Sequence, residues 1–374
     1  MKYPASLCSA VARALVPVPL DGFRVGSLAQ GCKLCEEGAK MVLFLSGDCH
    51  YTCFYCPISK ARRNKDFVWA DERKVDPENP DALAQIFDEA RMINAKGTGI
   101  TGGDPMYHPE RLVQYIRALK DEFGPKHHIH LYTQIDFDPA WLAKLEQAGL
   151  DEIRFHPHPD HWADMTKSWH AKLIPLALKT EMEVGIEIPA IPGKESETVA
   201  LLEWADAVGV PFANLNEFEW SETNSGNMRV RGFEAASDEN STIRGSREMA
   251  QAVALAFTRK RLAVHFCSSP FKDRIQLGQR FLRRAKNIAK PWEVVTDDST
   301  LLRGVVESPT PHETMKELMA RFDIPRRLIA VRRSRVELAP WVLEAIAGEV
   351  AHPCYLSEVH PTDEELEVER TPLN

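Results

Sequence analysis

The chain has 374 residues, 44% hydrophobic and 27% charged, which is enough apolar surface for a sizeable core and more length than one core normally fills. Its 46 lysines and arginines face 54 acids, a net charge of -8, so a global pull on a phosphate backbone is excluded and only a local patch remains for nucleic acid. No run of 18 apolar residues could span a membrane, Arg13 interrupts the helical spacing of Leu7, Val11 and Leu15 with no cleavage pattern after it, and the chain reads as cytoplasmic.

Eight cysteines in a chain of this length do not form a secreted disulfide scaffold, and the clustering of Cys32, Cys35, Cys49, Cys53 and Cys56 points to metal or redox chemistry. Residues 1–40 read as an N-terminal extension ending in Gly31-Cys32-Lys33-Leu34-Cys35-Glu36-Glu37-Gly38. A Cys-x2-Cys between glycines brings two thiolates to one centre, half of a tetrahedral site, and needs partners from elsewhere.

Met41 to Leu45 is a short apolar run expected to be a buried strand, and it leads directly into Cys49-His50-Tyr51-Thr52-Cys53-Phe54-Tyr55-Cys56. Residues 57–78 are polar and basic, after which Asn79-Pro80 opens a helix with Leu83, Ile86, Phe87, Ala90 and Ile93 on one face. Gly99-Ile100-Thr101 is the next strand and runs into Gly102-Gly103-Asp104-Pro105. The alternation then repeats, with strands expected at 128–133, 152–155, 184–188, 212–216 and 262–267 and helices at 109–122, 139–148, 167–180, 195–208 and 246–260. This pattern predicts an α/β fold, a complete or partial (β/α) TIM-like barrel over 41–270, with chemistry carried by the loops that follow the strands.

Two segments break the rhythm. Residues 219–245, rich in Ser, Asn, Glu and Gly, read as an insertion or lid. Residues 290–374 read as a small C-terminal α+β domain, with strands at 294–295 and 301–306 and helices near 311–322 and 340–350. Its arginines 326, 327, 332, 333 and 335 are either a local basic patch or a solvated helical face.

A four-iron cluster normally takes four thiolates, so the Cys49, Cys53, Cys56 triad leaves one iron open to a non-protein ligand. With Tyr55 beside Cys56, the Cys-x3-Cys-x-aromatic-Cys loop after a first barrel strand resembles the motif of the radical S-adenosylmethionine (radical SAM) superfamily. Gly102-Gly103-Asp104-Pro105 resembles that family's Gly-Gly-Glu-Pro segment, with Asp in place of Glu. Within the superfamily the chain is similar to the branch related to the pyruvate formate-lyase activating enzyme, and to an archaeal-type group inside it.

The resemblance implies a [4Fe-4S] cluster, S-adenosylmethionine on its open iron, and a 5′-deoxyadenosyl radical that takes hydrogen from a small-molecule, peptide or protein substrate. It also implies a one-electron reductant such as ferredoxin or flavodoxin. Gly102 and Gly103 are expected to let backbone approach the cofactor, and Tyr55, Asp104, Thr133, Arg154 and Glu187 are the candidate cofactor contacts, with Asn216 and Glu217 facing cofactor or substrate. No catalytic side chain is assigned beyond the cluster ligands.

Cys32, Cys35 and Cys267 form a candidate auxiliary cluster; a zinc site using His265, or plain reduced thiols, are the other readings. His156, His158 and His161 with Trp162 form a candidate metal or proton-transfer loop, against an ordinary solvent-facing one. RNA modification and activation of a glycyl-radical enzyme are the alternative functions, and a non-catalytic iron–sulfur or zinc sensor is the reading from another class. Cys8 and Cys354 are expected to be incidental thiols.

Overall fold

The computed structural model describes residues 12–237 and 241–374, so Cys8 and the first two positions of the Leu7, Val11, Leu15 series lie outside the described residues. Two compact units are present: the described residues up to Phe87 with Ala95–Gln276, and Asp88–Asn94 with Leu277–Asn374.

In chain order the first unit carries β1 (Leu15–Pro17), β2 (Phe23–Val25), α1 (Gln30–Glu36), β3 (Lys40–Phe44), β4 (Val68–Ala70) and β5 (Arg73–Val75). After α2 (Ala82–Met92) follow β6 (Gly97–Thr101), α3 (Pro109–Phe123), β7 (His128–Thr133), α4 (Ala140–Ala148), β8 (Glu152–Phe155), α5 (His170–Ala177) and β9 (Glu183–Pro189). The unit ends with α6 (Glu195–Val208), β10 (Phe212–Asn216), α7 (Ser225–Val230), α8 (Ser246–Ala256) and β11 (Ala263–Cys267).

Its sheet has 11 strands in the order β1-β2-β11-β10-β9-β8-β7-β6-β3-β4-β5. The run from β11 to β3 is parallel throughout, while β2 adds to β11, and β4 to β3, in antiparallel sense. Among the described residues β3 and β11 do not pair, so the fold is a partial (β/α) barrel whose ends are extended by antiparallel ribbons.

Side chains alternate between the two faces of a strand, and here the alternation separates apolar from polar. Met41, Leu43, Ile129, Leu131, Ile153, Phe155, Val184, Ile186, Leu215, Val264 and Phe266 are buried and form the apolar layer. The residues between them, Lys40, His130, Glu152, Arg154, Asn214, His265 and Cys267, are also buried, and hydrogen bonds connect most of them. The interior of the barrel is therefore polar, and α1 enters it from the side of the strand starts: the Gly31 amide donates to Glu152 Oε2 at 3.1 Å.

Three elements were not visible as strands or helix in the sequence. The polar stretch 57–78 contains the β4–β5 hairpin, and Phe23-Arg24-Val25 adds as β2 to the barrel edge. Cys32 and Cys35 sit one turn apart on α1, a helix that the sequence did not announce.

The second unit is a six-stranded antiparallel sheet, β14 (Ile329–Arg332), β15 (Arg335–Leu338), β13 (Leu301–Val306), β16 (Cys354–Val359) and β17 (Glu367–Pro372), with β12 (Val294–Val295) paired to β13. Val306, Leu318, Ile329, Val336, Leu338, Leu343 and Cys354 pack into its apolar core. Arg303 is fully buried and meets Glu293 at 2.9 Å and Glu365 at 2.6 Å. Arg332 and Arg335 lie on the β14–β15 hairpin and bind Glu365 and Glu337, so these arginines are held by acids on a β-ribbon and do not form a helical face.

Candidate active site

The three-cysteine loop leaves β3 and is stitched to the loop after β6. The Leu45 amide donates to Thr101 O at 2.8 Å, the Gly103 amide to Ser46 O at 2.8 Å and the Asp104 amide to Asp48 O at 2.9 Å. A Cβ on Gly102 would stand 2.4 Å from Ser46 O, and one on Gly103 would stand 2.3 Å from Asp48 O. Glycine is required there by the neighbouring loop's backbone, a reason other than the expected approach to a cofactor.

Asp104 is buried at the junction. Its carboxylate accepts from the Thr133 hydroxyl at 3.0 Å and from the amides of Met106 at 3.0 Å, Gln134 at 2.6 Å and Ile135 at 3.1 Å. Burial raises its pKa, and these donors oppose the rise. From the other side the cysteine loop is gripped through Phe54, which stacks on Phe233 with ring centroids 6.1 Å apart and lies beneath the Arg231 guanidinium at 4.4 Å. Asn224 Nδ2 donates to Tyr55 O at 3.0 Å, so the 219–245 segment packs on the loop that carries the thiols.

These groups enclose a cavity of about 350 Å³ lined by Cys49, Cys53, Cys56, Gly102, Gly103, Asp104, Thr133 and Gln134 together with Tyr55, His156, Glu187 and Asn216. Burial pushes the Cys49 thiol up to about 11 and raises that of Cys53, so both are neutral without a metal. The Cys53 thiol points at Gln134 Oε1, 3.5 Å away, while Gln134 Nε2 is buried with no partner among the described residues.

A second cavity of about 390 Å³ adjoins the first and shares Tyr55, Tyr132, His156, Glu187 and Asn216 with it. It brings together Cys32 and Cys35 from α1 with His265 and Cys267 from β11. Arg154 lies in its wall, donating to Glu187 at 2.7 Å, to the Tyr132 hydroxyl at 3.1 Å and to Cys32 Sγ at 3.4 Å. Asn214 Nδ2 donates to Cys32 Sγ at 3.2 Å and Gln276 Nε2 to Cys267 Sγ at 3.6 Å. Burial opposes ionisation of Glu187, but Arg154, Asn216 and Asn214 hold its pKa below the usual carboxylate value.

A family model described as the radical SAM superfamily matches residues 43–205, and one described as a domain of unknown function matches residues 299–373. A Methanocaldococcus jannaschii protein, provisionally named a glycyl-radical enzyme activating enzyme, is 38% identical over 359 residues, covering 92% of this chain and 93% of the relative. The chain belongs to the radical SAM superfamily. A crystal structure of methylornithine synthase aligns over 60% of this chain and 63% of its own at 13% identity and a TM-score of 0.40, too slight a likeness to argue from.

The first cavity of this radical SAM protein fits the family's cofactors. Three thiols share it, no fourth cysteine lines it, and the unpartnered Gln134 amide offers a donor to a polar ligand. Of the candidate cofactor contacts, Tyr55, Asp104, Thr133 and Glu187 line this cavity, whereas Arg154 lines only the second. The Thr133 hydroxyl is engaged by Asp104, and the Tyr55 hydroxyl lies 2.9 Å from His156 Nε2.

Within the histidine loop the side chains diverge. Burial lowers the His156 pKa to about 4 as it meets Tyr55, His158 Nδ1 lies 3.3 Å from Asp160, and Trp162 Nε1 donates to Pro157 O at 2.7 Å. The sequence reading passed over Arg63, a wall of the first cavity, and Lys272, a wall of the second that binds Glu219 at 2.7 Å. Lys272 had one usable signal, its place just after the last barrel strand.

Proposed function

We propose that Cys49, Cys53 and Cys56 hold a [4Fe-4S] cluster whose open iron takes S-adenosylmethionine, and that the protein abstracts a hydrogen atom from a substrate placed at the wall between the two cavities. One observation carries this reading: the thiol triad and the Gly-Gly-Asp-Pro loop line a single cavity that adjoins a second, polar one through Tyr55, Tyr132, His156, Glu187 and Asn216. When bound and reduced by one electron, the pair supplies methionine and a 5′-deoxyadenosyl radical.

The chain's own groups have distinct tasks in this reading. Gly102 and Gly103 let the two motif loops close on each other, and Asp104 braces the junction through four hydrogen bonds. Gln134 presents its free amide to the methionine or ribose end of the cofactor. Glu187 stays ionised at the shared wall, fixed by Arg154 and Asn216, and offers acceptors to ribose or substrate hydroxyls. The 219–245 segment covers the cysteine loop through Phe233 and Asn224 and keeps water from it.

A second iron–sulfur centre at Cys32, Cys35 and Cys267 belongs to the same proposal, supported by their meeting in one cavity. Activation of a glycyl-radical enzyme is the second reading, favoured by the name of the archaeal relative and its match over most of both chains. Anaerobic reconstitution with dithionite and S-adenosylmethionine is expected to yield 5′-deoxyadenosine, and no product from a fully loaded cluster would sink the proposal. A stable glycyl radical formed in a partner protein would decide for activation.

A further inference from the structure

His265 is the buried side chain of the second cavity that the proposed function leaves unused. It stands two residues before Cys267 on β11, so the two side chains share a strand face. Its rung is fixed by register: Asn214 pairs with His265 on one side and with Glu187 on the other. Cys32 and Cys35 are three residues apart on α1 and line the same cavity.

The hydrogen bonds settle the tautomer of His265. Glu187 can only accept, so the Asn214 group 3.0 Å from its Oε2 must be the amide nitrogen, which also donates to Cys32 Sγ. The amide oxygen of Asn214 therefore faces His265 Nδ1, 3.3 Å away, and Nδ1 carries the hydrogen. That leaves Nε2 as a bare lone pair, and it is buried without a hydrogen-bond partner among the described residues. A lone pair left unpaired in a polar cavity beside three thiols is free to take a metal bond.

We infer that Cys32, Cys35, Cys267 and His265 Nε2 form a complete four-donor set for one iron–sulfur cluster, an inference that rests on the second-centre reading above. Asn214 is the outer partner of this set: it holds the imidazole ring through Nδ1–H and places an N–H on the Cys32 sulfur, as the hydrogen-bond partners of metal ligands do. Arg154 and Gln276 supply further N–H donors to the sulfurs.

A single zinc ion is the poorer occupant. Zinc–sulfur bonds of about 2.3 Å draw tetrahedral ligands to roughly 3.8 Å of one another. The donor sets with ligand atoms within 4.8 Å of one another among the described residues are His128, His130 and Glu152, and Asp48, Asp66 and His108, so this set is spaced more widely, around a cavity of about 390 Å³. With four protein ligands the cluster has no vacant iron. It does not bind substrate, unlike the centre at Cys49, Cys53 and Cys56.

The test uses the full chain reconstituted anaerobically. Wild type is expected to hold about eight irons, and Cys32→Ser/Cys35→Ser about four, by four-iron stoichiometry. About four irons in both would remove the second centre itself, leaving the first untouched; zinc in place of iron would overturn the cluster assignment. The histidine is read separately, in a Cys49→Ala/Cys53→Ala/Cys56→Ala background that silences the first centre. The reduced second cluster should there show a strongly coupled nitrogen by pulsed electron paramagnetic resonance.

His265→Cys should keep the irons, lose the nitrogen coupling and lower the midpoint potential, because a thiolate replaces a neutral ligand. A second cluster with full iron but no coupled nitrogen in the triple-alanine background would overturn the inference about His265 alone.

Discussion

The Thr133 hydroxyl and the Asp104 carboxylate meet at 3.0 Å, joining the end of β7 to the loop that follows β6. The carboxylate's other hydrogen bonds come from backbone amides on both sides of that junction, so it is used within the protein before any cofactor arrives. The shorter side chain matters: glutamate in the same place would carry its charge one methylene further into the cavity and leave the amides behind.

Asp104→Ala is accordingly expected to cost about 2–3 kcal/mol of stability, the penalty for stranding buried donors. Asp104→Glu should lose about 1–3 kcal/mol by carrying the carboxylate away from the buried amides that donate to it. Urea unfolding of both variants measures this; a glutamate variant as stable as wild type, with tighter cofactor binding, would show that the carboxylate acts on the ligand and not on the loop.

Gly103→Ala places a carbon 2.3 Å from Asp48 O, a contact between two backbones that cannot be relieved by a rotamer change. The two motif loops must separate, and the thiols of Cys49 and Cys53 move with them. The expected result is a folded protein that loses most of the iron of the first centre after reconstitution, read by iron analysis and by the far-ultraviolet circular dichroism of the same sample.

Gln134 separates binding from stability. Its Nε2 has no protein partner among the described residues, so Gln134→Leu should leave unfolding nearly unchanged. A lost hydrogen bond of about 0.5–1.5 kcal/mol would weaken S-adenosylmethionine binding roughly twofold to tenfold. Equilibrium titration of the reconstituted protein tests it, and unaltered affinity would remove Gln134 from the cofactor site.

His127 is buried against Thr98, its Nε2 2.8 Å from the hydroxyl, and burial with the nearby charges of Lys120 and Lys40 lowers its pKa from 6.5 to about 4. Below pH 6.5 the unfolded chain takes up a proton that the folded one refuses, so stability is present above that pH and falls as pH drops towards 4. The loss from this one residue is about 2–3 kcal/mol. His127→Gln keeps a partner for Thr98 and should flatten the fall in unfolding free energy between pH 6.5 and 5.

Much of the barrel was legible because its strands are separated by amphipathic helices and carry buried apolar residues at every second position. The intervening residues carried a further message. Glu152-Ile-Arg-Phe155 alternates strictly, and His128, His130 and Tyr132 on β7 and Asn214 and Asn216 on β10 fall on one side of their strands, which marks that face as polar although the strands lie at the centre of the unit. The thiol triad was readable because its donors sit within eight residues.

Other features depend on distant partners. Arg154 is a candidate cofactor contact from its place in a strand, but its pairing with Glu152 and Glu187 and its position in the wall of the second cavity depend on neighbouring strands and could not be read locally. The hairpin at 68–75 is hidden by its charged residues, because an edge ribbon needs only one buried face. The tautomer of His265 depends on Asn214, 51 residues away, and no local pattern encodes it.

The placement of α1 also sets an order of events. Cys32 and Cys35 emerge early in synthesis, but Cys267, which lines the same cavity, is made only with the last barrel strand. Closing so long a stretch of chain is slow and entropically costly until the intervening strands have paired. The first thiol set can be presented to a cluster donor while the chain is still growing; the second must wait for a nearly finished barrel. Maturation of this protein is therefore expected to proceed in two stages, with the second site filled last.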